Sequence, residues 1–203
     1  MKPCFLVAIL VLCFSTNANA DLILNLSGQS GSSILNLSAS GSVEVLQQRN
    51  FSVFTVQSSG GSNPIFNGDV TGEYTFDLPV ESTLAFRGGG FFREFETLEI
   101  TVNNFHTVTL RTPGFGPLSV GTILSIEGDA TLDLSPSVLN YDRFNPGSYS
   151  TVQASTTGVR TLNVSAPVPE PSGIALLSIA TACCGLSRRR KLNTKRITSP
   201  ERR

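Results

Sequence analysis

Between Asp21 and Pro167 the apolar residues recur at every second position rather than at the three-to-four spacing of an amphipathic helix. Leu98, Ile100 and Val102 alternate with Thr97, Glu99 and Thr101. Leu124, Ile126, Ala130, Leu132 and Leu134 share one parity, and Glu127, Asp129, Thr131 and Asp133 take the other. Tyr74, Phe76 and Leu78 follow the same rule, as do Val108 with Leu110 and Leu162 with Val164. Successive strand side chains point to opposite faces, so this pattern separates a buried face from a wet one only in a β-strand. Turn formers divide the runs: Gly60-Gly61-Ser62-Asn63-Pro64, Gly88-Gly89-Gly90, Thr112-Pro113-Gly114 and Asn145-Pro146-Gly147. About ten to twelve short strands predict an all-β domain, an antiparallel β-sandwich or jelly roll.

Two details refine that expectation. Phe91, Arg93 and Phe95 are odd-numbered, whereas the next face runs on even numbers from Leu98, which calls for a β-bulge or a strand break near Glu96-Thr97. Ile23-Leu24-Asn25-Leu26-Ser27 recurs as Ile34-Leu35-Asn36-Leu37-Ser38, and Leu162-Asn163-Val164-Ser165 echoes it. Two close copies suit neighbouring strands better than a β-solenoid, with the late copy pairing back onto the opening strands. With eleven Phe and no Trp in this stretch, Phe is expected to supply most large core side chains. Its thirty-five Ser and Thr suit the solvent-facing positions.

The chain's formal charge of zero is an average over unlike segments. Residues 21–167 hold six Arg, no Lys and thirteen acids, a net charge of −7, which argues against nucleic-acid binding. All four Cys lie outside that segment, so a disulfide scaffold is excluded there.

The ends read as addresses. Residues 1–20 have the form of a cleaved signal peptide for Sec export: Lys2, an apolar run from Phe5 to Phe14, and a small-x-small cleavage site with Ala18 and Ala20. At the other end, Pro169-Glu170-Pro171 precedes an apolar segment, Gly173 to Leu186, and the basic cluster Arg188-Arg189-Arg190-Lys191. The two prolines keep the preceding backbone extended and exposed to a protease. As a hydrophobic helix, the segment rises about 21 Å against a hydrocarbon core of about 30 Å, a marginal anchor. The cations after it are expected to stay cytoplasmic, which leaves the acidic domain outside.

In this order the three parts of residues 168–191 resemble the PEP-CTERM sorting signal of exosortase substrates; residues 192–203 add a basic tail. The resemblance implies a bacterial protein held transiently in the inner membrane, cut near Pro169 by an exosortase, and left at the cell surface or in the extracellular matrix. The domain of residues 21–167 is then read as structural or adhesive, without enzymatic activity and without a cofactor.

Candidate sites in that domain each have a plainer alternative. Glu94 and Glu96 share a strand face and would suit a glycan-active enzyme, but a solvated acidic face explains them as well. Asp129 and Asp133, or Asp69 beside Asn67, are candidate ligands for structural Ca²⁺, with no Asp-x-Asp-x-Asp run to fix a site. His106 is the sole His and is read as a strand-edge or turn residue. Asn25, Asn36, Asn50 and Asn163 head Asn-x-Ser sequons that suit a polar strand face. Phe86-Arg87-Gly88-Gly89-Gly90-Phe91-Phe92-Arg93 is either a hairpin or a loop that binds an anionic polysaccharide through stacking and Arg contacts. A carbohydrate-binding module would also show an exposed aromatic strip, for which Tyr74, Tyr141 and Tyr149 are the candidates.

Overall fold

The computed structural model describes residues 21–59, 63–67, 70–114 and 116–169. The signal peptide with Ala18 and Ala20, Glu170 and Pro171, the hydrophobic segment, Arg188 to Lys191 and the basic tail lie outside them. In chain order the strands are β1 (Leu22–Ser27), β2 (Ile34–Ser40), β3 (Ser42–Glu44), β4 (Arg49–Asn50) and β5 (Val53–Ser59). Next come β6 (Gly72–Asp77), β7 (Ala85–Gly88), β8 (Phe91–Glu94), β9 (Thr97–Val102) and β10 (Phe105–Arg111). Finally come β11 (Pro117–Leu118), β12 (Ile123–Asp133), β13 (Gly147–Val152) and β14 (Val159–Val164). A single 3-10 turn, Tyr141–Arg143, is the one helical element among the described residues. The fold is all-β.

An eight-stranded sheet runs β13-β14-β1-β2-β12-β7-β8, with β3 also on β12; a four-stranded sheet runs β5-β10-β9-β6, and β11 pairs β4. Both larger sheets send alternate residues into one continuous core: Leu22, Leu24 and Leu26 from β1, Leu98 and Ile100 from β9, Val108 and Leu110 from β10. Among the described residues seven Phe are buried there, so Phe does supply most large core side chains. At one margin the sheets are stitched by a side chain: Thr151 Oγ1 on β13 accepts from Gln57 N on β5 at 2.9 Å.

The repeats turn out to be adjacent strands. β1 and β2 pair antiparallel with Leu26 opposite Leu37, and β14 lies on the other side of β1 with Leu24 opposite Leu162 and Asn25 opposite Asn163. That second pairing is parallel, the one departure from the expected antiparallel pattern among the strand pairs described. Parallel register sets Leu162-Asn163-Val164 beside Leu24-Asn25-Leu26 residue for residue, which is why the two segments look alike. Tyr141, fully buried, clips the ends of the pair: its hydroxyl lies 3.0 Å from Leu26 O and 2.7 Å from Ser165 O. Burial pushes this phenol up to about 12, so it stays a donor.

The parity change is a strand break at which the chain moves from the larger sheet to the smaller. Phe95 N donates to Leu84 O and Glu96 N to Arg111 O, so the chain leaves β8 and enters β9 with its faces reset. Gly128 serves a different end within β12. Its φ is +104°, and a Cβ there would stand 2.1 Å from Thr83 O. The missing side chain lets Thr83 approach closely enough to exchange backbone and hydroxyl bonds with Asp129.

Candidate functional site

The β7–β8 hairpin forms one margin of the larger sheet. Its turn is made by Gly89 and Gly90, with φ of +58° and +81°, the left-handed pair that a tight two-residue hairpin requires. The odd segment 86–93 is thus a hairpin, and its residues divide sharply. Phe86 points inward, is buried, and meets Phe95 with ring centroids 4.7 Å apart. Phe91 and Phe92 are exposed, as is all of β8.

On the outer face, Arg87 lies opposite Phe92 in register, with its guanidinium 5.2 Å above that ring. Glu127, on the neighbouring β12, accepts from Arg87 Nε at 2.9 Å and from Nη2 at 2.7 Å. The acid therefore holds the guanidinium beside the aromatic ring. Such an ion pair between exposed groups contributes little to stability, about 0–1 kcal/mol, so its effect is chiefly to set orientation. Arg93 turns back on its own strand and donates from Nη1 to Phe92 O at 3.0 Å. Two open depressions flank β8: one of about 410 Å³ between the glycine turn, Phe91, Ile123 and Ser125, and one of about 350 Å³ lined by Phe92, Arg93, Glu94, Phe95, Glu96 and Pro113.

Glu94 and Glu96 thus line the same depression, but both are exposed on its wall. Glu99, their neighbour in sequence, is committed elsewhere. It accepts two bonds of 2.7 Å from Arg111, and that paired guanidinium holds its carboxyl below the usual range. Asp133 accepts from Ser135 N and Oγ, each at 2.8 Å, which also lowers its pKa. Among the described residues no three of His, Cys, Asp and Glu gather as metal ligands; Asp69 lies outside them.

Two readings need correction. Tyr141 and Tyr149 are buried, so they cannot form an exposed strip; the Tyr149 hydroxyl donates to Asn145 O at 2.8 Å. Tyr74 is partly buried against the core. Among the described residues the exposed aromatics are instead Phe91, Phe92 and Phe105. His106 is neither at a strand edge nor in a turn but buried in β10, between β5 and β9, where its Nδ1 accepts from Phe66 N at 3.1 Å. The sequon asparagines on the larger sheet do form a polar face: Asn163 donates to Asn25 at 3.0 Å, Asn25 to Ser38 at 3.4 Å, and Thr131 to Asn36 at 3.1 Å.

Sequence reasoning singled out the hairpin but missed the pairing of Arg87 with Glu127. Those residues are forty positions apart, and only the β7–β12 register brings them together. No family model, curated protein or solved structure matches this chain.

Proposed function

We propose that this chain is an exported bacterial protein, processed by an exosortase, whose mature β-sandwich is a structural or adhesive component of the cell surface or extracellular matrix. The observation that carries the reading is the order of Pro169-Glu170-Pro171, an apolar segment and Arg188-Arg189-Arg190-Lys191 behind an export-type leader. The fold is compatible with a cut at that place. Val168 N donates to Gly28 O and Val168 O accepts from Ser30 N, so the chain is fastened to the domain up to the residue before the exposed Pro169. Cleavage in the Pro-Glu-Pro stretch would remove none of the described core. At the other end Asp21 is already engaged, its carboxylate accepting from Val159 N at 3.0 Å, which suits a mature chain beginning there.

An adhesive role draws support from the β8 margin, where Phe91 and Phe92 stand exposed beside a fixed Arg87. The same platform favours a second reading, a module that binds surface polysaccharide. Glu94 and Glu96 stand exposed to solvent, the setting of a solvated acidic face, and both readings are non-enzymatic.

Intact mass of the protein in membrane and released fractions of its native host tests the sorting claim. A species running from Asp21 to near Pro169 supports it, and a membrane species still ending at Arg203 overturns it. Retention on a polysaccharide gel, lost on Phe91→Ala and Phe92→Ala substitution, would favour the binding module over a purely structural part.

A further inference from the structure

A second Arg–Phe pair lies inside the molecule. Arg160 shares its parity with Leu162 and Val164 on β14, so its side chain enters the space between the sheets, where its guanidinium sits 5.9 Å above the ring of Phe54 on β5. It is only 4% exposed. Its Nε is buried with no hydrogen-bond partner, and no carboxylate pairs with it among the described residues. A buried cation left in this state is expensive to maintain.

The side chain does not face solid packing. It lines a cavity of about 100 Å³ bounded by Arg49, Asn50, Phe51, Ser52, Val53 and Gln153. No acid is among these residues, and a second cation, Arg49, is near enough to add its repulsion to the burial that pushes Arg160 down to about 10. That value still leaves Arg160 charged at neutral pH. Gln153 also lines the cavity, and its buried Oε1 has no hydrogen-bond partner. At about 30 Å³ per water, the volume matches about three waters or one compact group of four to five heavy atoms.

We propose that this cavity is a binding site for an oxyanion, a carboxylate, sulfate or phosphate group, held between the Arg160 and Arg49 guanidinium groups. A guanidinium offers such groups a planar fork of donors, and desolvation strengthens each bond. The site shares no lining residue with the depressions beside β8 and does not depend on the matrix reading.

The test is a thermal-unfolding titration of the full chain in mild detergent, in a chloride background of constant ionic strength. Inorganic sulfate and phosphate represent free ions; glucuronate and a polyuronate chain represent a saccharide-borne carboxylate. The expected result is a saturable rise in midpoint with at least one of them at low millimolar concentration, absent in Arg160→Met and displaced about tenfold in concentration by Arg49→Ala. Arg49 is exposed, so that variant reads the site even if Arg160→Met fails to fold. Whether the free ions or the saccharide acids saturate first names the source. A rise that is unsaturable and equal in wild type and Arg49→Ala is general salting, and it overturns the proposal, as does no rise with any of the four.

Discussion

Arg87 over Phe92 and Arg160 over Phe54 are the same chemical pair near opposite margins of the larger sheet, at 5.2 and 5.9 Å, and they answer to different physics. The Arg87 side chain is 60% exposed and ion-paired with Glu127, so water screens it and its aromatic contact adds little. Arg160 is desolvated, has no acid, and is repelled by Arg49. The first pair is an oriented surface feature. The second is an unfinished electrostatic arrangement that lowers the stability of the empty domain and raises its affinity for an anion.

Truncating the two rings should separate the sites most. Phe54 is fully buried, so Phe54→Ala is expected to cost about 3–5 kcal/mol, whereas Phe92→Ala at an exposed position should cost less than about 1 kcal/mol. Urea unfolding of both variants measures the difference; equal costs would mean that the buried ring is not part of the common core. The arginines themselves should behave in the opposite sense to intuition. In chloride alone, Arg160→Met is expected to be neutral or to stabilise by about 1–3 kcal/mol, because it removes an uncompensated buried charge. Arg87→Met should stay within about 1 kcal/mol of wild type. A strongly destabilised Arg160→Met in chloride alone would show that the guanidinium is paired within the protein.

The contrast also marks where sequence reading stops. Alternation made the strands and their inner faces legible, because burial on one side of a pleated strand imposes period two directly on the chain. The Leu-Asn-Leu repeats were legible as neighbours for the same reason. The parallel direction of β14 on β1 was not, since alternation is the same read either way along a strand. Arg160 sits at an inward position of β14, where Val159, Thr161 and Asn163 take the other parity, yet a lone Arg in such a run reads as a strand-end charge until the register places it over Phe54. The burial of Tyr141 and Tyr149, candidates for an exposed strip, is not legible either, because the acceptors that let a phenol be buried, Leu26 O, Ser165 O and Asn145 O, are backbone atoms that no composition reveals.

Tyr141→Phe tests the frame that carries Arg160. The ring remains while the hydroxyl bonds to Leu26 O and Ser165 O are lost, at an expected cost of about 1–2 kcal/mol. Both carbonyls belong to the ends of the β1–β14 pair, so the loosening should also appear as faster hydrogen exchange along β14 than along β10. Uniform exchange in the two strands would place the effect in the core at large.

His106 supplies the smallest and most pointed comparison, because it meets the same desolvation as Arg160 with a different outcome. Burial pushes its pKa below the ordinary 6.5, and the neutral ring uses Nδ1 to accept from Phe66 N at 3.1 Å, beside the Phe66 ring at 5.7 Å. A histidine can shed its charge in this way at neutral pH, and an arginine held at about 10 cannot. The sign follows from linkage. Above about 6.5 the ring is neutral folded or unfolded and contributes no pH dependence. As pH falls below that value the unfolded chain binds the proton first, so stability declines until the lower folded pKa is reached. Between about pH 7.5 and pH 5.5 the urea midpoint should therefore drop for wild type and stay nearly level for His106→Gln, because burial disfavours the charged ring only in the folded chain. Glu99 and Asp133 do not interfere in that window, since both carboxyls are held below their ordinary values and lose their contribution only in stronger acid. A His106→Gln variant that tracks wild type across the window would mean that another group carries the titration, and that burial alone does not separate the histidine from the arginine.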